Sequence, residues 1–344
     1  RDRARDLATG LTKAHGDASL IDAFADADDK QAIGILAVLA AAPSSAGEQL
    51  AERALGHASS AVRARAVITL YATAGEAALP RVFAVMKSAE DKRVLLGCEE
   101  ALLPGIRDGS ITDRARSEAV ALLADAGPEL TETLYWLIGQ CGGPESIGLL
   151  TAAADTQDDA RFDAAVNALS YSPDRAADDA LLEIIKSRGD GPRAAHSVRR
   201  MVVSDKGIGQ KPVEDQLDFA EGVLDVTLNK QTIAYLGRIK TGRCAYILQR
   251  AMRRGAPTSA AEAIIDATSD LSDADKKDLK LAESALIDVI EFIEITYLRG
   301  GAAGQLQRGG DAGKYYAHWK SISARAGQNL LKIKQDEQAP LPTF

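Results

Sequence analysis

The feature that most constrains this fold is a recurrence of paired helical segments over the first 204 residues. Apolar residues recur there at three- and four-residue spacing, the period of one face of an α-helix. The first helices of successive pairs are predicted to begin 30 to 38 residues apart, near positions 29, 59, 90, 128, 158 and 192. A pair of about 30 residues cannot bury its own apolar face, so it must stack on its neighbours.

Helix-breaking residues fall where these pairs require turns. Pro43-Ser44-Ser45 separates the two helices of the first pair, and Ala74-Gly75-Glu76 separates those of the second. Cys141-Gly142-Gly143-Pro144 and Ser170–Asp174 do the same in the fourth and fifth pairs. In the third pair, Pro104–Ser110 is predicted to be an enlarged loop, which explains the longest interval.

The composition agrees with closely packed helices. Aromatic residues make up only 5% of the chain, whereas sheets favour aromatic and β-branched residues. Hydrophobic residues, at 46%, supply enough apolar surface for a sizeable core. No run approaches about 18 consecutive apolar residues, so no membrane span is predicted.

The second pair carries the clearest motif. Within Ser59–Leu70, Val62 and Arg63 are followed by the small residue Ala66 and then by Leu70. This segment resembles the HEAT-repeat family, in particular bacterial HEAT-like repeats. Weaker matches occur at Asp91–Leu102, Asp159–Leu169 and Ser197–Arg199. The resemblance covers about residues 29–204 and implies an all-α fold, a right-handed α-solenoid of antiparallel helix pairs.

The spacing of the predicted helices becomes less regular beyond residue 204. Further helices are predicted at Val213–Leu228, Gln231–Ile239, Cys244–Arg253, Ser259–Thr268, Ala274–Leu298 and Lys314–Ile333. The longest of these predicted helices is Ala274–Leu298. Ser272 and Asp275, near its start, have the three-residue spacing of a capping box. Four regions result: an N-terminal helical cap at 1–28, HEAT-like repeats at 29–204, an irregular helical continuation at 205–299, and a Gly-rich loop, aromatic capping helix and tail at 300–344.

Residues with catalytic or metal-binding chemistry are scattered. None of the four histidines lies within metal-ligand spacing of another His or a Cys. Asp288, Glu291 and Glu294 recur on one helix face but lack the partner motif of a di-iron site. In Arg308–Lys314 the first Gly of a phosphate loop is missing, and Tyr315 replaces its Ser or Thr. We therefore predict no catalytic residues, no metal and no cofactor.

The three cysteines, Cys98, Cys141 and Cys244, lie in separate apolar helical runs. They are predicted to be small buried side chains with free thiols rather than a disulfide framework. This favours a reducing compartment such as the cytoplasm. Because the first residue is Arg1 rather than Met, an exported location stays open if a targeting segment was removed.

Charge is distributed unevenly along the chain. Residues 1–185 contain 17 Lys and Arg against 29 Asp and Glu, whereas residues 186–254 contain 14 against 7. A local positive excess in an acidic protein attracts anionic partners. Candidate partner-binding residues therefore come from this basic stretch and from the aromatic last helix: Arg193, His196, Arg199, Arg200, Arg238, Lys240, Arg243, Arg250, Arg253, Arg254, Tyr315, Tyr316 and Trp319. The alternative is that these cations pair internally with the acidic N-terminal half.

These features favour a non-catalytic scaffold or adaptor that binds another protein, one with an acidic surface for example, as a subunit of a larger assembly. The family resemblance also implies two enzyme alternatives, a bilin lyase and a DNA alkyl-base glycosylase. The basic stretch at 186–254 leaves a nucleic-acid-binding module as a further alternative. A net charge of −8 opposes nucleic-acid binding, because a phosphate backbone attracts an excess of Lys and Arg.

Overall fold

A computed structural model describes most of the chain, namely residues 16, 18–189, 195–203, 211–255, 257–269, 271, 276–293 and 311–338. Regular structure in these residues is helical, apart from one isolated bridge residue at Val203. The predicted all-α class is therefore confirmed. None of the described helices is both long enough and apolar enough to span a membrane.

The chain forms two compact units. Unit 1 comprises Arg1–Ala180 with Val203–Gly209, and unit 2 comprises Leu181–Val202 with Gln210–Phe344. The main boundary thus falls near residue 180, within a helix, whereas the sequence places the end of the regular repeats near residue 204.

Five helix pairs account for most of the described part of unit 1. The first helices are α1 (Asp29–Ala41), α3 (Ser60–Ala74), α5 (Lys92–Arg107), α7 (Pro128–Cys141) and α9 (Asp159–Tyr171). The second helices are α2 (Ser45–Ala54), α4 (Leu79–Ser88), α6 (Thr112–Leu123), α8 (Gly143–Ala154) and α10 (Ala176–Arg188), the last of which crosses the unit boundary. Residues 18–25 of the predicted cap are also helical. The five observed starts lie within two residues of those predicted.

The first helices of unit 1 form a continuous row. Helix α1 contacts α3, α3 contacts α5, α5 contacts α7, and α7 contacts α9. Each of α2, α4, α6 and α8 contacts the first helix of its own pair and that of the next pair. Every first helix contributes a fully buried leucine to the interior: Leu36, Leu70, Leu102, Leu134 and Leu169. Full burial of each side chain contributes about 2 kcal/mol, so the row is held together by a shared apolar core.

Two glycines set the spacing within this row. A Cβ atom added at Gly97 would lie 2.7 Å from the carbonyl oxygen of Ala64, and one added at Gly139 would lie 2.7 Å from that of Ala168. Both neighbours are backbone atoms of adjacent first helices. Helix α5 therefore approaches α3, and α7 approaches α9, more closely than any other residue type would allow.

The third pair departs from its prediction. Helix α5 continues through Pro104 to Arg107, so the first part of the predicted loop is wrong, and only residues 108–111 connect α5 with α6. A proline in the last turn removes one helical hydrogen bond. The turn persists because Leu102, Gly105 and Ile106 around it are buried and pack on the core.

Unit 2 also contains two rows of helices in its described part. Its helices are α11 (Ala195–Val202), α12 (Val213–Val226), α13 (Lys230–Leu236), α14 (Gly242–Arg253), α15 (Pro257–Ala267), α16 (Lys276–Ile293) and α17 (Asp311–Gln338). Contacts join α12 to α14 and α14 to α16, and they join α11, α13, α15 and α17 in the same alternating order. Alternation thus continues where the sequence predicts a less regular arrangement.

Among the described helices, α17 has 28 residues and α16 has 18; residues 274–275 and 294–298 of the helix predicted to be longest lie outside the described part of the chain. Four predicted features lie outside the described residues: the start of the sixth pair near 192, the Ser272–Asp275 capping box, the Gly-rich loop from 300 to 310, and the tail from 339 to 344.

The three cysteine thiols are free, as predicted. Cys98 and Cys244 are buried, whereas Cys141 is half-buried at the end of α7. Burial raises the pKa of Cys98 and of Cys244 to about 12 and that of Cys141 to about 11. All three groups are therefore protonated, weakly nucleophilic thiols at neutral pH.

Candidate functional site

The predicted basic stretch lies largely in unit 2, where the arginines of α14 face a stripe of carboxylates on α12. Glu214, Asp218, Glu221 and Asp225 recur at four- and three-residue spacing, which aligns them along one side of α12. Arg243 pairs with the first three of them, and Arg250 pairs with Glu221 and Asp225. Hydrogen bonds to Asp218 and Glu214 raise the pKa of Arg243 above its usual value.

Other cations of the basic stretch also have internal partners. Arg253 pairs with Asp288 of α16, and Arg254 donates to the Leu224 carbonyl and to the Asp225 carboxylate, both at 2.8–2.9 Å. Lys240 donates to the Ser269 hydroxyl at 2.7 Å. The carboxylates that pair with Arg243, Arg250, Arg253 and Arg254 therefore lie on α12 and α16 of the same unit.

Of the remaining predicted residues, the structure describes five side chains, and three of these are buried. His196, Arg200 and Trp319 are buried, so these three side chains do not contribute to a docking surface. Arg199 is half-buried and Arg238 is exposed. Arg193, like the side chains of Tyr315 and Tyr316, lies outside the described part of the chain.

A second candidate surface lies in unit 1, on the outward side of two adjacent first helices. We call it the α5–α7 face. On α5, Leu96, Glu100 and Leu103 follow each other at four- and three-residue spacing, on the side opposite the buried Cys98 and Leu102. Its members are Leu96, Glu99, Glu100 and Leu103 of α5 with Glu132 and Trp136 of α7, all exposed or half-buried. Leu96 is 51% exposed.

The ionisation of Glu99 distinguishes the α5–α7 face. Its side chain is half-buried where α5 meets α7 and shares a hydrogen bond with Thr133. Burial, assisted by the nearby Glu132 carboxylate, raises the pKa of Glu99 to about 7 against the opposing effects of Thr133 and Lys92. Glu99 therefore carries a proton about half of the time at neutral pH.

Charged groups of both signs lie near Glu99 on α5 and α7. Lys92 is one cation that acts on it, and the Lys92 ammonium already pairs with Glu132 at 3.2 Å. Glu100 is exposed on the neighbouring position of α5. This arrangement can attract a cationic group and can exchange a proton, two properties that suit binding.

Comparison with protein families and with curated proteins found no match. No protein-family model matches the chain, and no curated protein matches it.

Within the described residues, no group of three or more His, Cys, Asp or Glu side chains is placed to hold a metal ion.

Proposed function

We propose that this protein is a non-catalytic scaffold that binds another protein through the α5–α7 face, as a subunit of a larger assembly. In this proposal its helix pairs form a right-handed α-solenoid of the HEAT-like kind. Two observations support the solenoid: first helices contact each other in chain order, and second helices bridge successive pairs.

The exposure of Leu96 is the main observation that supports the binding proposal. Side chains on the inner side of α5 are buried, whereas Leu96 exposes half of its surface, and Leu103, two turns along the helix, is half-buried. Across the contact between α5 and α7, Trp136 adds an indole that is also only partly covered. Tryptophan is among the residue types that dominate the energetic centre of protein interfaces, and the apolar core of an interface is surrounded by a polar rim.

The test is co-purification of tagged protein from cells that express it naturally, with wild type compared with Leu96→Asp. We expect a specific protein to be recovered with wild type and its yield to fall at least about tenfold with the variant, since an interface anchor contributes about 2 kcal/mol. Mass spectrometry identifies the protein, and circular dichroism checks that the variant is folded.

Leu331→Asp is the matched control. Leu331 is a leucine on α17 of unit 2 that is 63% exposed, so the same change there leaves the α5–α7 face intact. Its yield of the bound protein should equal that of wild type. Equal recovery with Leu96→Asp, or no recovery with wild type, would refute the proposed function.

A further inference from the structure

We propose that the segment bound by the α5–α7 face is a basic amphipathic helix. Its apolar stripe covers Leu96, and its Lys or Arg side chains pair with Glu99, Glu100 and Glu132. This inference rests on the proposed function and adds the chemistry of the partner.

The first support is charge complementarity. Three carboxylates, Glu99, Glu100 and Glu132, belong to the α5–α7 face, and Lys92 is bonded to one of them. The surrounding sequence, residues 1–185, has 29 acidic against 17 basic residues, so the long-range potential has the same sign. Such a field attracts cationic segments and repels acidic ones.

The second support is geometry. Helices α5 and α7 are in direct contact. Leu96 and Leu103 lie two turns apart on the outward side of α5, and Trp136 lies on the adjacent α7. Apolar side chains at helical spacing are what the apolar face of a docked helix matches.

Docking at the α5–α7 face is coupled to the ionisation of Glu99. The charged groups that act on this carboxyl are Glu132 from α7 and Lys92 from α5 itself, and its pKa is about 7. A Lys or Arg brought beside Glu99 lowers this pKa, because a nearby cation favours the ionised form. Docking therefore releases a proton at neutral pH, and affinity falls as the pH drops below 7.

The probe is a fluorescein-labelled peptide of about 18 residues, or five helical turns, with Leu at helical spacing and Lys elsewhere. Its control has Glu in place of every Lys. Fluorescence anisotropy on the full chain should detect binding of the basic peptide only. Leu96→Asp and Glu132→Lys should each weaken this binding about tenfold.

A matched charge reversal separates the α5–α7 face from the general acidity of the protein. Glu118→Lys changes the net charge as Glu132→Lys does, but Glu118 is exposed on α6, away from the face. We expect it to weaken binding by at most about twofold, through long-range attraction alone. Equal losses with the two reversals would overturn the proposed pairing.

A pH series tests the role of Glu99. If docking lowers its pKa from about 7 toward the usual value, wild-type affinity should fall about tenfold between pH 8 and pH 6. Glu99→Gln keeps the shape and removes the titration, so its affinity should change by less than about twofold over this range. The same pH dependence in wild type and variant would exclude proton release by Glu99.

The outcomes separate this inference from the proposed function. If co-purification depends on Leu96 but the basic peptide binds no better than the acidic one, the scaffold proposal stands and the partner chemistry is wrong. If Leu96→Asp instead abolishes self-association in sedimentation velocity, the face binds a second copy of the chain, and the peptide proposal is overturned. If Leu96→Asp changes none of these measurements, both proposals fail.

Discussion

Replacing Gly97 by alanine is expected to lower the free energy of unfolding by about 2–3 kcal/mol, the cost of overpacking a tight contact. The added Cβ would meet the carbonyl oxygen, Cα and Cβ of Ala64 at 2.7, 2.8 and 2.9 Å. Because these are atoms of a neighbouring helix or its first side-chain carbon, they cannot rotate away, and α5 must separate from α3. Urea unfolding of the full chain followed by circular dichroism measures the loss.

The same substitution at exposed glycines provides the control. Gly34 in α1 and Gly148 in α8 have open space where a Cβ would be placed. Alanine is the better helix former by about 1 kcal/mol, so Gly34→Ala and Gly148→Ala should stabilise the protein by up to that amount. If Gly97→Ala also stabilises, the close approach of α5 to α3 is contradicted.

The second large effect is expected at Trp319. Its side chain is 2% exposed, and it shares the buried side of α17 with Ile322, Ala326 and Ile333, where α17 packs on α15 and α16. Trp319→Ala should lower the free energy of unfolding by about 3–5 kcal/mol through lost burial and the cavity that remains. Differential scanning calorimetry should detect it as a lower unfolding temperature.

This result distinguishes two interpretations of the aromatic helix. A tryptophan that serves as an exposed partner contact can be removed with little change in stability, usually within about 0.5 kcal/mol. Trp319→Phe, which keeps most of the buried volume, should retain more stability than Trp319→Ala. Unchanged unfolding of Trp319→Ala would restore Trp319 as a candidate contact and contradict its place in the core.

Local periodicity made the helix pairs of unit 1 predictable. Turn residues such as Pro43 and Gly142 act within a few residues of themselves, and the observed helices begin and end around them. The alternation in unit 2 was harder to detect because α13 has only seven residues, too few to display a repeated apolar stripe. Its place in the row depends on contacts with α11 and α15 that are distant in sequence.

The internal ion pairs of the basic stretch share one separation along the sequence. Arg243 pairs with Glu214, Arg250 with Glu221, and Arg254 with Asp225, in each case across 29 residues. That distance is about the length of one helix pair, so it places equivalent positions of successive helices side by side. Net charge summed over a segment conceals this register, which is why the basic stretch suggested an external surface.

The α5–α7 face is not apparent from the sequence match at Asp91–Leu102. Matching Arg93 to Arg63 puts Leu96 at the position of the buried Ala66. The structure instead aligns Val94, Cys98 and Leu102, all buried, with Val62, Ala66 and Leu70. In this alignment, Leu96 is an additional apolar residue on the outward side of α5. The spacing of apolar residues, rather than the position of charged ones, is the sequence feature that could identify the α5–α7 face.

Amide hydrogen exchange of the full chain, measured with and without the co-purified protein, tests the α5–α7 face most directly. Bound protein should slow exchange in peptides from residues 92–107 and 128–141 and leave residues 242–253 of α14 unchanged. Protection confined to α12–α14 or to α17, with none in α5 and α7, would contradict the proposed binding surface.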